Sequence, residues 1–149
     1  MRAVVQRVSS ASVEISSKEY YSKIKNGLVI LLGIKVGDNE KDVNFVADKC
    51  CRLRIFEDSD NNLNRSIQDV TGEVLIISQF TLYGDTSKGN RPSFIDAAKP
   101  ADAIPIYEEF IKRMKVNLGE DKIKTGIFGT MMDVHLVNSG PVTVIVESK

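Results

Sequence analysis

The chain has 149 residues, of which 42% are hydrophobic and 27% are charged. This length fits one domain, and the composition is typical of a globular protein with an ordinary apolar core. Twenty basic side chains balance twenty acidic ones, so the net charge lacks the basic excess of many nucleic-acid-binding domains. No stretch approaches the roughly 20 apolar residues of a membrane span, and no secretory leader precedes the first strand-like pattern. We therefore expect one domain over residues 1–149, acting in the cytosol and away from membranes.

The first part of the chain has the alternating or apolar patterns of β-strands. The predicted strands are residues 2–8, 11–15, Tyr20–Lys25 and Leu28–Ile34. Ser9 and Ser10 mark a turn or a bulge between the first two, and Asn26-Gly27 is a strong turn signal before the last. That last run is apolar throughout, which predicts a central strand buried on both faces.

A first helix is predicted to begin after Gly37. Asp38 can cap its amino end, and Glu40 suits the positive end of the helix dipole. One apolar face follows at helical spacing. Its members are Val43, Val46, Ala47, Cys50 and Leu53.

A second helix is predicted from about Asp102 to Leu118. Pro105 then falls in its first turn, where a missing N–H has little effect. The buried stripe of this helix is Ile106, Phe110, Ile111 and Met114. Between the two helices we expect a polar turn over residues 58–64, a strand over Glu73–Phe80 and a loop over Gly84–Pro92.

Three closing strands are predicted over residues 122–127, 131–137 and 142–147. Strands therefore dominate, and two main helices accompany them. This pattern predicts the α+β class with a mainly antiparallel sheet.

The sequence offers few groups for metal or redox chemistry. Cys50 and Cys51 are neighbours, which rarely form a relaxed disulfide, and we expect two reduced thiols on a partly buried helix. With only His135 as a further candidate, a Cys/His zinc site has too few ligands. We expect no metal and no cofactor.

Three segments could carry chemistry. Ser78-Gln79-Phe80-Thr81-Leu82 ends an apolar strand, but a nucleophilic Ser or Thr needs a nearby base, and His135 lies in an alternating strand. The segment can equally be an ordinary strand end.

Asn138–Thr143 fits a turn, in which Gly140-Pro141 could present bare carbonyl groups rigidly. The basic loop Lys88–Phe94 could contact phosphate or be a plain exposed loop.

Taken together, these segments resemble the D-aminoacyl-tRNA deacylases of the bacterial and eukaryotic type. The resemblance runs through the whole chain. Its motifs are MRAVVQRV at the start, then SQFTL, KGNRPSF and NSGPVTVIVES. The family implies hydrolysis of the ester between a D-amino acid and the 3′ end of a tRNA, by a homodimer whose sheet is barrel-like in the dimer.

The resemblance also implies roles for particular residues. The 3′-terminal adenosine and its aminoacyl group would enter a pocket lined by the residues that match the family's pocket: Ser78, Gln79, Phe80, Thr81, Phe128 and Met132. Gly140-Pro141 matches a Gly–cis-Pro element that the partner subunit inserts, and Arg7 matches a residue that steadies it. Thr130, Met131 and Ser139 depart from residues frequent in the family, which affects only fine contacts.

The family's chemistry implies chiral proofreading that rejects L-residues. D- and L-esters carry the same groups, so only a geometric clash can separate them. Backbone amides near Phe80 and Thr81, with the tRNA 2′-hydroxyl, would then carry catalysis, and a covalent Thr81 is the competing mechanism. A non-enzymatic RNA-binding domain and a small-molecule esterase are the two rival functions.

Overall fold

The computed structural model describes residues 1–149 and contains two helices packed on a curved sheet. The strands are β1 (Arg2–Ile15), β2 (Tyr20–Ile24), β3 (Gly27–Gly33), β4 (Phe56–Glu57), β5 (Leu63–Arg65), β6 (Glu73–Ser78), β7 (Ile123–Thr125) and β8 (Asp133–Glu147), and the helices are α1 (Glu40–Arg52) and α2 (Pro100–Leu118). The predicted α+β class is confirmed. No helix is both long and apolar enough to span a membrane.

The main sheet runs in the order β2-β1-β3-β6-β7, and β8 pairs with the other edge of β1. β1 is antiparallel to β2, β3 and β8, whereas β6 is parallel to both β3 and β7. The hydroxyl of Tyr20 donates to the carbonyl of Thr125 at 2.8 Å, which links the two ends of the sheet order. The sheet is therefore nearly closed into a barrel, and it is mixed rather than purely antiparallel.

β1 and β8 are each one continuous strand, where the sequence predicted two pairs of shorter strands. The ladder between them shifts register between Val8 and Ser10, so the predicted irregularity at Ser9 is a bulge. It shifts again between Gln6 and Val8, where Arg7 alone faces residues 139–142 of β8. Because β1 is long enough to pair on both sides of these shifts, the strands continue through them.

The core has two parts, one on each face of the sheet. The helices cover the first face, where β3 and β6 meet Val46, Phe110 and Met114. The second face lies inside the curve of the sheet and includes Val13 and Leu75. β3 is therefore buried on both faces, as its continuous apolar run predicted.

The cap of α1 differs from the predicted one. Asn39 caps the helix, since its side chain accepts from the Lys41 amide and the Asp42 carboxylate accepts from the Asn39 amide. Asp38 is engaged elsewhere: its carboxylate binds the amino terminus of Met1 at 2.6 Å. A predicted cap was wrong here because the sequence does not reveal where the chain terminus lies.

The two cysteines are free and buried, and burial raises the pKa of the Cys51 thiol to about 11.

α2 begins at Pro100, two residues before the predicted start, so Pro105 lies inside the helix and not in its first turn. The proline is exposed, which allows water to reach the carbonyl that its missing N–H leaves unpaired. Tyr107 joins the buried stripe and its hydroxyl donates to the Ile76 carbonyl at 3.0 Å. The predicted stripe members Ile106 and Ile111 are only half-buried.

Candidate active site

A cavity of about 350 Å³ opens between the end of β6 and the start of α2. Its walls come from β3, the segment after β6, the chain before α2 and the loop after β7. The lining residues are Leu32, Ile34, Ser78, Gln79, Phe80, Phe94, Ala97, Ala98, Pro100, Ala103, Phe128 and Gly129. None of these side chains is titratable, so the cavity offers shape, apolar surface and backbone groups, with the hydroxyl of Ser78 and the amide of Gln79.

The 3₁₀ turn Phe80–Tyr83, which we call the rim, begins at the edge of the cavity and contributes Phe80 to its lining. β6 ends at Ser78, two residues before its predicted end, and the Gln79 amide still donates to the Leu32 carbonyl at 2.7 Å. The first hydrogen bond of the turn runs from the Leu82 amide to the Gln79 carbonyl at 3.3 Å. The amides of Phe80 and Thr81 precede that bond, and the amino end of a helical turn leaves such N–H groups free.

Side chains hold the rim in a defined shape. The Gln79 side-chain amide donates to the hydroxyl of Thr81. The rings of Phe80 and Phe94 meet edge to face, with centroids 5.1 Å apart. On the opposite wall, Phe128 packs against the buried ring of Tyr107 at 5.6 Å between centroids.

Gly140 and Pro141 form an outward-facing bulge on β8, away from the cavity of the same chain. The Arg7 guanidinium lies beneath it and donates to the Ser139 carbonyl at 2.9 Å. The peptide bond between Gly140 and Pro141 is cis, as the sequence resemblance implies. Gly140 has a φ of +125° and a built Cβ would lie 2.9 Å from Arg7 Nη2, so only glycine fits there without strain.

The structure brings together four of the nine predicted site residues, namely Ser78, Gln79, Phe80 and Phe128. Thr81 lies on the same turn but does not line the cavity. Met132 packs against Gly126 and Ile77 on the inner side of the sheet. Gly140, Pro141 and Arg7 form the separate bulge.

The remaining lining residues were missed from the sequence, and most have small or plain apolar side chains. Phe94 is an exception, because it ends the basic segment singled out for phosphate contact. Lys88 and Arg91 of that segment are exposed, as is Lys99 beside the cavity wall. The Asp85 carboxylate accepts from the Ser87 amide at 2.9 Å and anchors the start of the loop.

His135 lies on β8 opposite Ser12 of β1 and is exposed, far along the sheet from the cavity lining. It gives no base for the hydroxyls of Ser78 or Thr81. No group of three or more His, Cys, Asp or Glu side chains is arranged to hold a metal ion. The chemistry available at the cavity is therefore hydrogen bonding by backbone amides and neutral side chains.

The sequence is similar to that of a known protein family over nearly its whole length. The family described as D-Tyr-tRNA(Tyr) deacylase matches residues 4–147. A D-aminoacyl-tRNA deacylase of Cytophaga hutchinsonii is 54% identical over 149 residues, covering 100% of this chain and 98% of the relative. The same enzyme of Clostridium tetani is 52% identical over 149 residues, again covering 100% and 98%.

Solved structures have a similar fold. The structure titled c-Myc DNA Unwinding Element Binding Protein superposes with a TM-score of 0.94 at 38% identity, covering 100% of this chain and 99% of that one. A probable eukaryotic D-amino acid tRNA deacylase shares the fold alone, with a TM-score of 0.86 at 16% identity over 99% of this chain and 98% of that one. The chain belongs to the D-aminoacyl-tRNA deacylase family.

Proposed function

We propose that the chain hydrolyses the ester of D-aminoacyl-tRNA and that the cavity receives the 3′-terminal adenosine with its aminoacyl group. The observation that carries the proposal is a cavity of about 350 Å³ at the amino end of the Phe80–Tyr83 turn, where the first amides have no acceptor within the turn. Its volume and mostly apolar walls suit a base and a ribose with few polar anchors. The substrate implies action in the cytoplasm, where charged tRNA is used.

The catalytic groups are the amides of Phe80 and Thr81, which stabilise the oxyanion that forms when water attacks the ester carbonyl. The bond between the carbonyl carbon and the 3′ oxygen of the ribose then breaks, and the departing oxygen takes the proton that the attacking water releases. The neighbouring 2′-hydroxyl of the tRNA orients the attacking water. We assign these roles to backbone amides and to the tRNA because no side chain that lines the cavity can act as a general base.

A covalent mechanism through Thr81 fits the surroundings less well. Its hydroxyl accepts a hydrogen bond from Gln79, and no neighbouring base takes its proton. An alcohol without a base is a weak nucleophile. Thr81 therefore serves to hold the Gln79 side chain and the shape of the rim.

Selection against L-residues is assigned to Gly140-Pro141 of a second copy of the chain, which enters the cavity of the first. The bulge is exposed in the single chain, and neither Gly140 nor Pro141 lines the cavity of the same chain. Arg7 donates a hydrogen bond to the bulge. The backbone carbonyls of the bulge are therefore held in place and cannot rotate away as side chains do. A fixed carbonyl beside the Cα of the substrate clashes with the Cβ of an L-residue and leaves room for a D-residue.

The homodimer that this requires is supported by β8. β8 pairs only with β1, so its second edge is free in the single chain. Val137 and Ile145 are exposed on it, at 56% and 64%. A second copy would cover this apolar strand and bring the bulge to the partner's cavity.

The tRNA acceptor end would meet Lys88, Arg91 and Lys99, whose exposed cations suit phosphate contacts.

One assay tests the function against its rivals. The protein is incubated with D-Tyr-tRNA, L-Tyr-tRNA and a simple D-tyrosine ester at equal concentrations, and release of tyrosine is measured. We expect rapid hydrolysis of D-Tyr-tRNA alone. Equal hydrolysis of the simple ester would indicate a small-molecule esterase, and binding of tRNA without any hydrolysis would indicate an RNA-binding domain.

A further inference from the structure

Arg2 lies directly behind the turn that forms the rim of the cavity. Its Nη1 donates to the Leu82 carbonyl at 2.7 Å, and its Cζ lies 5.0 Å from the centre of the Tyr83 ring. Both partners belong to the Phe80–Tyr83 turn. A single side chain therefore contacts the carboxyl end of the turn through a charged hydrogen bond and a cation–π contact.

The direction of these contacts matters for the amides at the other end. In a helical turn the free N–H groups point toward the amino end and the free carbonyls toward the carboxyl end. The guanidinium binds a carbonyl at the carboxyl end, so the amides of Phe80 and Thr81 lie at the opposite end of the turn, where Phe80 lines the cavity.

The rest of the turn is fixed against β3. A Cβ built on Gly33 would lie 3.1 Å from Leu82 Cβ and 3.2 Å from the Gln79 carbonyl oxygen, so the backbone of the turn packs closely there. The Gln79–Leu32 hydrogen bond fixes the start of the turn. Arg2 pairs with Gly33 in the sheet and fixes its end.

Arg2 is itself held in place by its neighbours. Glu147, its partner on β8, accepts from Nη2 at 2.8 Å and from Nε at 3.2 Å. Met1, the preceding residue, is buried, and its ammonium group binds Asp38 at 2.6 Å and the Ser148 hydroxyl at 2.8 Å. The backbone of Arg2 is therefore anchored beside the buried Met1, and its guanidinium is held in one orientation by Glu147.

Stability alone gives a weak reason for this arrangement. The ion pair between Arg2 and Glu147 is about a third to a half exposed on each side, and such surface pairs contribute little to folding. The bond to the Leu82 carbonyl is the contact that reaches the site.

We propose that Arg2 is a positioning residue for the deacylation reaction. Its guanidinium holds the Leu82 carbonyl and thereby aims the amides of Phe80 and Thr81 at the developing oxyanion. This inference rests on the oxyanion role proposed above for those two amides. It assigns Arg2 no contact with the substrate.

The kinetic test compares Arg2→Gln and Arg2→Lys with the parent protein, and Arg113→Gln is the matched control. Arg113 forms a bidentate ion pair with Asp48 between the helices, away from the cavity. We expect Arg2→Gln to lower kcat on D-Tyr-tRNA by about 10–100-fold, because small misplacements of catalytic groups are that damaging. KM should change less than about threefold. Arg2→Lys, which keeps a cationic donor for the Leu82 carbonyl but loses the fork of the guanidinium, should recover part of the loss, and Arg113→Gln should stay within about threefold of the parent kcat.

A second measurement separates this proposal from the mechanism on which it rests. The ¹H–¹⁵N resonances of Phe80 and Thr81 are compared in folded Arg2→Gln and Arg113→Gln protein. We expect both resonances to shift in Arg2→Gln only. Unshifted resonances would overturn the positioning role of Arg2. Shifted resonances with an unchanged kcat would also overturn it, and would place the failure in the oxyanion role of the amides.

Discussion

Arg7 Nε donates a hydrogen bond to the Ser139 carbonyl oxygen at 2.9 Å, and this bond joins two strands at the point where their ladder is interrupted. The same guanidinium donates from Nη1 to the Ile55 carbonyl at 2.8 Å and contacts Glu57 at 3.4 Å. Arg7 is only 6% exposed. A buried guanidinium with acceptors on three sides has one orientation, so the bulge of Gly140 and Pro141 rests on a rigid support.

We predict that Arg7→Lys weakens discrimination between D-Tyr-tRNA and L-Tyr-tRNA by about tenfold or more. A lysine offers a single point donor and cannot satisfy the carbonyls of Ser139 and Ile55 together. The unfolding free energy should fall by about 1–3 kcal/mol, since a buried acceptor loses its donor. Initial rates on the two substrates and urea unfolding check both effects. Glu57→Gln is the control, because Glu57 is exposed; equal effects of the two variants would contradict this role for Arg7.

We predict that the active site is shared between two chains. Gly140→Val should disable the bulge, and Ala98→Trp should fill the cavity, so each homodimer is expected to be inactive. Refolding the two together should restore about a quarter of the parent activity, because half of the random dimers are mixed and each has one intact site. Sedimentation at the assay concentration checks the association state. A mixture that stays inactive, or a fully active monomer, would contradict a shared site.

The parts of this fold that follow from local pattern could be predicted from the sequence. The apolar run Leu28–Ile34 became the doubly buried β3. Ser78, Gln79 and Phe80, which line the cavity, were identified through the family resemblance and not by local pattern. Local spacing could not identify Ala97, Ala98 and Ala103 as cavity walls. These residues reach β3 only because the Ala98 amide donates to the Ile34 carbonyl at 2.9 Å and brings the chain back over the sheet.

The errors share a physical cause, namely contacts between residues distant in sequence. Asp38 has the side chain of a helix cap but binds the amino terminus. Residues 138–143 have a turn composition, yet Asn138 and Thr143 both pair with β1 and the strand continues through the unpaired residues 139–142. The bulge and the cavity lie apart in one chain, which sequence spacing could not indicate.

We predict that Thr81→Ala keeps kcat within about tenfold of the parent, because its hydroxyl has no base and serves only to hold Gln79. A covalent nucleophile would instead lose roughly a thousandfold or more. Single-turnover rates on D-Tyr-tRNA make the comparison, with Ser78→Ala as the second hydroxyl variant. Mass spectrometry of the quenched reaction is the direct check, and an aminoacyl adduct on Thr81 would contradict the non-covalent mechanism.

We predict an acid-dependent contribution to stability from Asp48. Hydrogen bonds from Arg113 lower the pKa of this carboxyl to about 2 from its usual 3.8. A lowered pKa in the folded state stabilises the protein above pH 4, and this stabilisation disappears as the pH falls from about 4 to about 2. Asp48→Asn should therefore lower Tm by about 3 °C or more at pH 6 and by much less near pH 2. Glu108→Gln, at an exposed position on α2, should change Tm little at either pH. A Tm difference for Asp48→Asn that stays the same from pH 6 to pH 2 would contradict a lowered pKa of Asp48.

The last prediction concerns how Gly140 and Pro141 select a substrate. This unit has almost no side chain to recognise a D-residue, but its backbone is held by Arg7 and can exclude the Cβ of an L-residue. A barrier of this kind should accept D-residues of very different size, such as D-Asp and D-Tyr. It should also fail to exclude glycine, which has no Cβ, so glycyl-tRNA should be hydrolysed while L-alanyl-tRNA survives. Attraction could not easily separate these two, because one methylene contributes only about 1–3 kcal/mol in an apolar pocket. Deacylation of Gly-tRNA, L-Ala-tRNA and D-Ala-tRNA is measured side by side over a range of enzyme concentrations. If Gly-tRNA and L-Ala-tRNA resist equally while D-Ala-tRNA is cleaved, the enzyme recognises the D side chain itself and the exclusion role of Gly140 and Pro141 is wrong.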